Sequence, residues 1–143
     1  MHNPAVVRIA NEWQEWVVGS AAALVGFSAA HVIEDFAYGV PARVGLELAP
    51  AATLVGIVFG LHVVFIGLAA ASRTAGYLGN GLFGAAWLAV VGAEHLGELL
   101  YTWPYRTGWP SKLLILGVMI SGAVLLVSSL AAWCRSRRAL PWG

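Results

Sequence analysis

The chain has few charged residues and a single cysteine. Of its 143 residues, 10% are charged and 59% are hydrophobic, and the mean hydropathy is +0.77. Soluble domains carry about 25% charged residues, so this composition excludes an ordinary soluble globular domain. The lone Cys134 excludes an intrachain disulfide. A net charge of +1 gives no reason to expect a nucleic-acid partner.

Long apolar segments fill most of the chain instead. Four of them reach the roughly 20 residues that a helix needs to cross the hydrocarbon core of a bilayer. We predict spans at Trp16–Phe36, Ala51–Ala71, Tyr77–Tyr101 and Leu113–Trp133. The N-terminus lacks the basic region of a signal peptide, so we expect the first span to be retained. The sequence therefore predicts an all-α, polytopic membrane protein, with residues 1–143 forming one domain whose four transmembrane helices make an up-down bundle.

The basic residues predict an orientation in the membrane. Five fall on the side of the N-terminus, the second loop and the C-terminus, namely Arg8, Arg73, Arg135, Arg137 and Arg138. Three fall on the opposite side, namely Arg43, Arg106 and Lys112. Because cytoplasmic loops carry an excess of basic residues, we expect both termini in the cytoplasm. The C-terminal ends of the first and third spans then lie towards the outer face.

Those two span ends carry matching polar motifs. They are His31-x-x-Glu34, followed by Asp35, and His95-x-x-Glu98, preceded by Glu94. An ionisable residue within a bilayer costs roughly 2.5–3.5 kcal/mol on insertion scales, so such residues usually have a function. Residues three and four apart share one helix face, and both histidines lie roughly 8–9 Å below the outer interface. We therefore expect the two motifs to form one site in the outer half of the bundle.

The two motifs are also related by an internal offset. His31 and Glu34 match His95 and Glu98 at a spacing of 64 residues. This weak internal repeat predicts two pseudo-repeated helical hairpins, although two short motifs also coincide by chance. His62, in the second span, lies roughly 18 Å deep. It is either a further member of the site or a buried histidine with a structural role.

The charge balance of the spans favours a metal. Four of the seven acidic residues lie in the spans, whereas all eight Lys and Arg residues lie outside them. Carboxylates without a basic partner cannot all stay ionised at low dielectric, so they are protonated, hydrated or neutralised by cations. The ligand types match a di-metal carboxylate site in a four-helix bundle, although the order there is Glu-x-x-His. The candidate ligands are His31, Glu34, Asp35, His62, Glu94, His95 and Glu98.

We therefore expect one or two transition-metal ions, with iron, zinc, manganese and copper all compatible with imidazole and carboxylate ligands. Iron would allow redox chemistry on a lipid-soluble substrate. Four alternatives stay open: a b-type haem between His31 and His95, a proton- or cation-coupled transporter or channel component, a metal-free lipid isomerase, and an accessory subunit of a larger complex. The sequence does not decide whether the protein is an enzyme or whether it forms a homo-oligomer.

Two features bear on packing. The second outer loop, Thr102–Ser111, contains two Trp-Pro steps, which make it stiff. It is either a cap over the site or a simple turn with interfacial aromatic residues. The motif Gly56-x-x-x-Gly60 in the second span is typical of a close helix contact.

Overall fold

The computed structural model describes residues 4–100 and 105–138, with side chains described within 12–100 and 105–137. The described residues form five helices: α1 Pro4–Ala37, α2 Val40–Arg43, α3 Leu48–Ala70, α4 Thr74–Leu100 and α5 Trp109–Arg138. No strand occurs among the described residues. The predicted all-α class is therefore confirmed.

Four of these helices are long and apolar enough to cross a membrane. The segments that satisfy this are Glu12–Ala37, Leu48–Ala70, Thr74–Leu100 and Trp109–Arg137. Large apolar side chains such as Ile33, Leu82 and Val127 are exposed on the outside of the helices. Such exposure carries no cost where lipid tails, as apolar as leucine, surround the protein. The prediction of an integral membrane protein is confirmed at this level.

Proline and positive-φ residues define where the helices begin and turn. Pro50 and Pro110 lie in the first turns of α3 and α5, where proline costs nothing because that N–H has no helical partner. Between α3 and α4, Ser72 has a φ of 56°, and the Arg73 N–H donates to the Leu68 carbonyl at 2.9 Å. This short connection folds α3 and α4 into a hairpin.

The two helices that carry the polar motifs lie opposite each other. α1 packs mainly against α5 and α3, α4 packs mainly against the same two helices, and α1 and α4 contact each other only slightly. Near one end, the Arg135 guanidinium lies 5.3 Å from the centre of the Trp13 ring. At the other end, Ser111 of α5 contacts Glu34 of α1. Long side chains of α1 and α4 therefore meet across the core, between the flanking helices.

Glycines allow close helix approach, but at positions other than the predicted motif. A Cβ added to Gly84 of α4 would lie 2.7 Å from the Gly122 carbonyl oxygen of α5, and Gly76 lies directly against the backbone at Ala69. A Cβ added to Gly56 or Gly60 would meet nothing within 4 Å. The expectation that Gly56-x-x-x-Gly60 makes a close contact is therefore wrong for the described part of this chain, because that face of α3 points away from the other helices.

Candidate metal centre

His31 and His95 meet across the core. Their Nε2 atoms are 3.3 Å apart, although the residues are 64 positions apart in sequence. Both side chains are buried, with 2% and 7% of their surface exposed. The rings are nearly perpendicular, at 87° with centroids 4.9 Å apart. This arrangement places two ring nitrogens, the usual metal-ligating atoms of histidine, next to each other at one point between α1 and α4.

Asp35 is the third member of this group. It follows His31 by one helical turn, and its Oδ2 lies 3.8 Å from the His31 Nε2. One ligand atom from each of His31, Asp35 and His95 can be chosen so that all lie within 4.8 Å of one another. Two imidazoles and one carboxylate at this spacing are able to hold a metal ion. We call His31, Asp35 and His95 the triad.

Glu34 points to a different set of partners. Its Oε1 accepts hydrogen bonds from the Ser111 hydroxyl and, at 3.2 Å, from the Thr107 hydroxyl. Its Oε2 lies 3.4 Å from the Arg106 Nη1. The structure thus places Glu34 beside the triad, where its carboxylate joins the end of α1 to the start of α5 and to the preceding loop.

The expectation that the carboxylates lack a basic partner is wrong for Glu34 and Asp35. Arg106 of the α4–α5 loop, whose described part is Tyr105–Gly108, lies 2.5 Å from the Asp35 Oδ1. Its side chain is 9% exposed. Partial burial lowers the pKa of this guanidinium, but the hydrogen bond and negative charge of Asp35 outweigh that effect and raise the pKa overall. Arg106 is therefore charged and neutralises part of the acidic group.

Tyr105 provides a second contact from the same loop. Its hydroxyl lies 3.2 Å from the Nδ1 of His95, and its ring lies 4.8 Å from the Arg106 guanidinium carbon. Burial raises the pKa of Tyr105 to about 12, although the charge of Arg106 opposes the shift. The phenol is therefore neutral at physiological pH. Within the described part of the α4–α5 loop, Tyr105 and Arg106 thus both contact the triad.

The two remaining acids of α4 differ in their surroundings. Glu94 is 62% exposed, and its Oε2 lies 3.6 Å from the His95 Nε2. Glu98 is half-buried, and its Oε2 is buried with no hydrogen-bond partner among the described residues. Glu94 therefore reaches the triad from the outside of the bundle, whereas Glu98 carries an unsatisfied buried oxygen one helical turn after His95.

His62 lies in another part of the bundle. Its ring is fully buried and stacks on Phe83 of α4, with centroids 4.3 Å apart and an angle of 3°. Phe83 precedes His95 by twelve residues, which corresponds to about 18 Å along a helix. The group that could hold a metal contains His31, Asp35 and His95 but not His62.

Sequence reasoning missed Tyr105 and Arg106 as members of the site. Both lie in a loop, where no helical periodicity indicates which way a side chain points. The one available signal was that the loop is stiff and rich in aromatic residues. This signal was compatible with a cap over the site, but it did not indicate which loop side chains contact the site.

Comparisons with known proteins add no functional assignment. No protein-family model, curated protein or solved structure matches this chain. The chemistry of the triad and its surroundings is therefore the basis for a function.

Proposed function

We propose that the protein is an integral membrane protein that binds one divalent transition-metal ion through the triad. The spacing of the two histidine nitrogens carries this proposal. Two metal–nitrogen bonds of about 2.0–2.1 Å at a tetrahedral angle place the nitrogens roughly 3.3–3.4 Å apart. The observed Nε2–Nε2 distance is 3.3 Å. Asp35 would supply the third ligand through Oδ2, which faces His31.

The local charge supports one ion rather than two. Glu34, Asp35 and Glu98 contribute three negative charges when ionised, and Arg106 contributes one positive charge, which leaves a net charge of −2 with both histidines neutral. Glu94 lies on the outside of the bundle, with 62% of its side chain exposed, and is therefore not counted in this buried group. A single divalent ion would therefore neutralise the group. Buried charge is costly unless it is paired.

The ligand set narrows the chemistry of the ion. Two histidines and one carboxylate with open positions are typical of non-haem Fe(II) sites and of catalytic zinc sites. Iron would supply redox chemistry on a lipid-soluble substrate, and zinc, manganese and copper are also compatible. A b-type haem is less compatible, because a porphyrin would have to fit between imidazole nitrogens that are 3.3 Å apart.

Cation transport is the second candidate. The observation that favours it is Glu94, an exposed carboxylate 3.6 Å from the Nε2 of the buried His95. Such a residue would offer an ion a ligand between the surface and the triad. Metal flux into proteoliposomes, abolished by Glu94→Gln, would support this function. Absence of flux from a preparation that binds metal would exclude it.

The architecture that we propose for this site is an up-down bundle of four transmembrane helices, with α1 and α4 as the first helices of two pseudo-repeated hairpins. The meeting of His31 with His95, and the contact of Glu34 with Ser111 at one end of the α1–α5 pair, support this arrangement. We further propose that both termini are cytoplasmic, because the basic residues favour that side. The triad then lies towards the outer face.

Elemental analysis of the detergent-purified chain tests the metal site. The protein is loaded separately with iron, zinc, manganese and copper, and free metal is removed. We expect about one equivalent of a divalent metal in the wild type and a loss in His95→Ala and in the more conservative Asp35→Asn. His62→Ala is the matched control, because it also removes a buried histidine but leaves the triad intact.

Three results would contradict the proposal. The wild type would bind none of the four metals, or His95→Ala would retain as much metal as His62→Ala, or the bound metal would amount to two equivalents. Either of the first two results would show that the triad does not bind a metal ion. The third result would show that the site binds metal but holds two ions instead of one. Circular dichroism of each variant establishes that the helices are intact.

A further inference from the structure

Two consecutive loop residues contact two members of the triad through the atoms that face away from its centre. The Tyr105 hydroxyl lies 3.2 Å from the Nδ1 of His95, whose Nε2 faces His31. The Arg106 Nη1 lies 2.5 Å from the Oδ1 of Asp35, whose Oδ2 faces His31. The outer nitrogen of His95 is within hydrogen-bond distance of the loop, the outer oxygen of Asp35 is ion-paired with it, and the inner atom of each residue is left for a ligand.

The chemistry of a histidine ligand explains why the outer atom matters. An imidazole that binds a metal through Nε2 carries its proton on Nδ1, and a hydrogen-bond acceptor at that proton fixes both the ring orientation and the tautomer. The phenol oxygen of Tyr105 is able to accept this proton. Its hydroxyl lies 3.2 Å from Nδ1, a distance suited to orienting the His95 ring.

His31 provides an internal comparison. Its Nδ1 is buried and has no hydrogen-bond partner among the described residues. Its Nε2, by contrast, lies close to both His95 and Asp35. Of the two imidazoles, only that of His95 thus has its outer nitrogen held by a hydroxyl in the described part of the chain. The described loop residues therefore contact the triad at His95 and Asp35, and not at the outer nitrogen of His31.

We infer that Tyr105 is a positioning residue of the metal site, whose hydroxyl holds His95 with Nε2 available to the ion. This inference rests on the proposed metal-binding function. It adds that the ligand geometry depends on a residue outside the helices. Arg106 lies against the Tyr105 ring, 4.8 Å from its centre, so the two contacts of the loop with the triad come from neighbouring side chains that also touch each other.

Cobalt binding by the full chain in detergent tests the inference. Tyr105→Phe removes only the hydroxyl and keeps the ring beside Arg106. Outer hydrogen-bond partners of metal ligands typically contribute 10–100-fold in affinity, so we expect cobalt affinity to fall by roughly that factor. We also expect the visible spectrum of bound cobalt to change, since the orientation of the His95 ring would no longer be fixed.

Tyr38→Phe is the matched control. The Tyr38 ring also lies near Arg106, at 5.7 Å, but its hydroxyl has no hydrogen bond to the triad among the described residues. This variant should leave the cobalt affinity and spectrum unchanged. Equal affinity and identical spectra for Tyr105→Phe and the wild type would overturn the inference alone. A wild type that binds neither cobalt nor any of the other metals would overturn the proposed function itself.

Discussion

The carboxylate of Glu34, in the last part of α1, accepts a hydrogen bond from the hydroxyl of Ser111, in the first turn of α5, 77 positions later. The Thr107 hydroxyl donates to the same carboxylate oxygen at 3.2 Å and lies 2.7 Å from the Ser111 hydroxyl. Ser111 is fully buried. Glu34 therefore connects α1 to α5 and to the described part of the α4–α5 loop through hydrogen bonds. Its carboxylate does not face the centre of the triad.

Substitution of Glu34 by glutamine should destabilise this end of the protein. Hydrogen bonds to charged groups contribute about 1.5–3 kcal/mol each, and the neutral amide would also lose the ion pair with Arg106. We expect a loss of about 2 kcal/mol, measured as a lower unfolding temperature in detergent. Glu47→Gln, at an exposed glutamate before α3, is the control. Equal unfolding temperatures for the two variants would show that the hydrogen bonds and ion pair of Glu34 do not stabilise the protein.

Arg106→Gln should be more harmful than its position in a loop would imply. Removal of the guanidinium takes away the cation that is paired with Glu34 and Asp35, whose side chains are only 11% and 18% exposed. Breaking a buried ion pair typically costs 3–5 kcal/mol, and partial solvent access reduces this to about 2 kcal/mol here. Unfolding measurements in detergent, with the exposed Arg43→Gln as control, check this expectation. A variant as stable as the control would mean that water already screens the two carboxylates.

The sequence predicted which side chains meet where their positions depend on helical geometry. The spacing of His31 and His95 within two apolar segments predicted that they would share one site, and the structure brings their Nε2 atoms to 3.3 Å. Helical spacing could not separate Glu34 from Asp35, because adjacent residues differ by only about 100° around the axis and both fell within the predicted arc. In the structure Asp35 faces His31, whereas Glu34 faces Ser111.

The loop residues could not be placed in the same way. The sequence showed that the basic residues lie outside the spans, and this led to the wrong expectation that the acids have no basic partner. Arg106 enters the site because the backbone turns at positive φ values of 45° at Arg106 and 86° at Gly108, and local pattern does not predict such turns at an arginine. For the same reason the contact of Tyr105 with His95 follows from tertiary structure alone.

Alkaline titration should detect the environment of Tyr105. Burial raises the pKa of its hydroxyl to about 12, compared with about 10 in an unfolded chain. The folded state therefore retains this proton between about pH 10 and 12, and the contribution to stability is lost as the pH rises through that interval. The ultraviolet phenolate absorbance of the metal-free wild type minus that of Tyr105→Phe gives the titration curve. A difference curve centred near pH 10 would contradict the buried position.

Gly84 and Gly56 allow a matched test of helix packing. A Cβ at Gly84 would lie 2.7 Å from the Gly122 carbonyl oxygen and 3.0 Å from the Leu126 backbone nitrogen. Backbone atoms cannot move aside as the end of a flexible side chain can, so α4 and α5 would have to separate. We expect Gly84→Ala to cost about 1–3 kcal/mol, measured as reduced stability to denaturant in detergent.

Gly56→Ala is the control, because a Cβ there would meet nothing within 4 Å. Both changes replace glycine by alanine inside a long helix, so the gain in helix propensity is the same and the difference between the variants reports packing alone. Gly56→Ala should be neutral or slightly stabilising. If instead Gly56→Ala were the more destabilising variant, the outer face of α3 would be the tightly packed one, and the assignment of the close approach to the α4–α5 interface would be wrong.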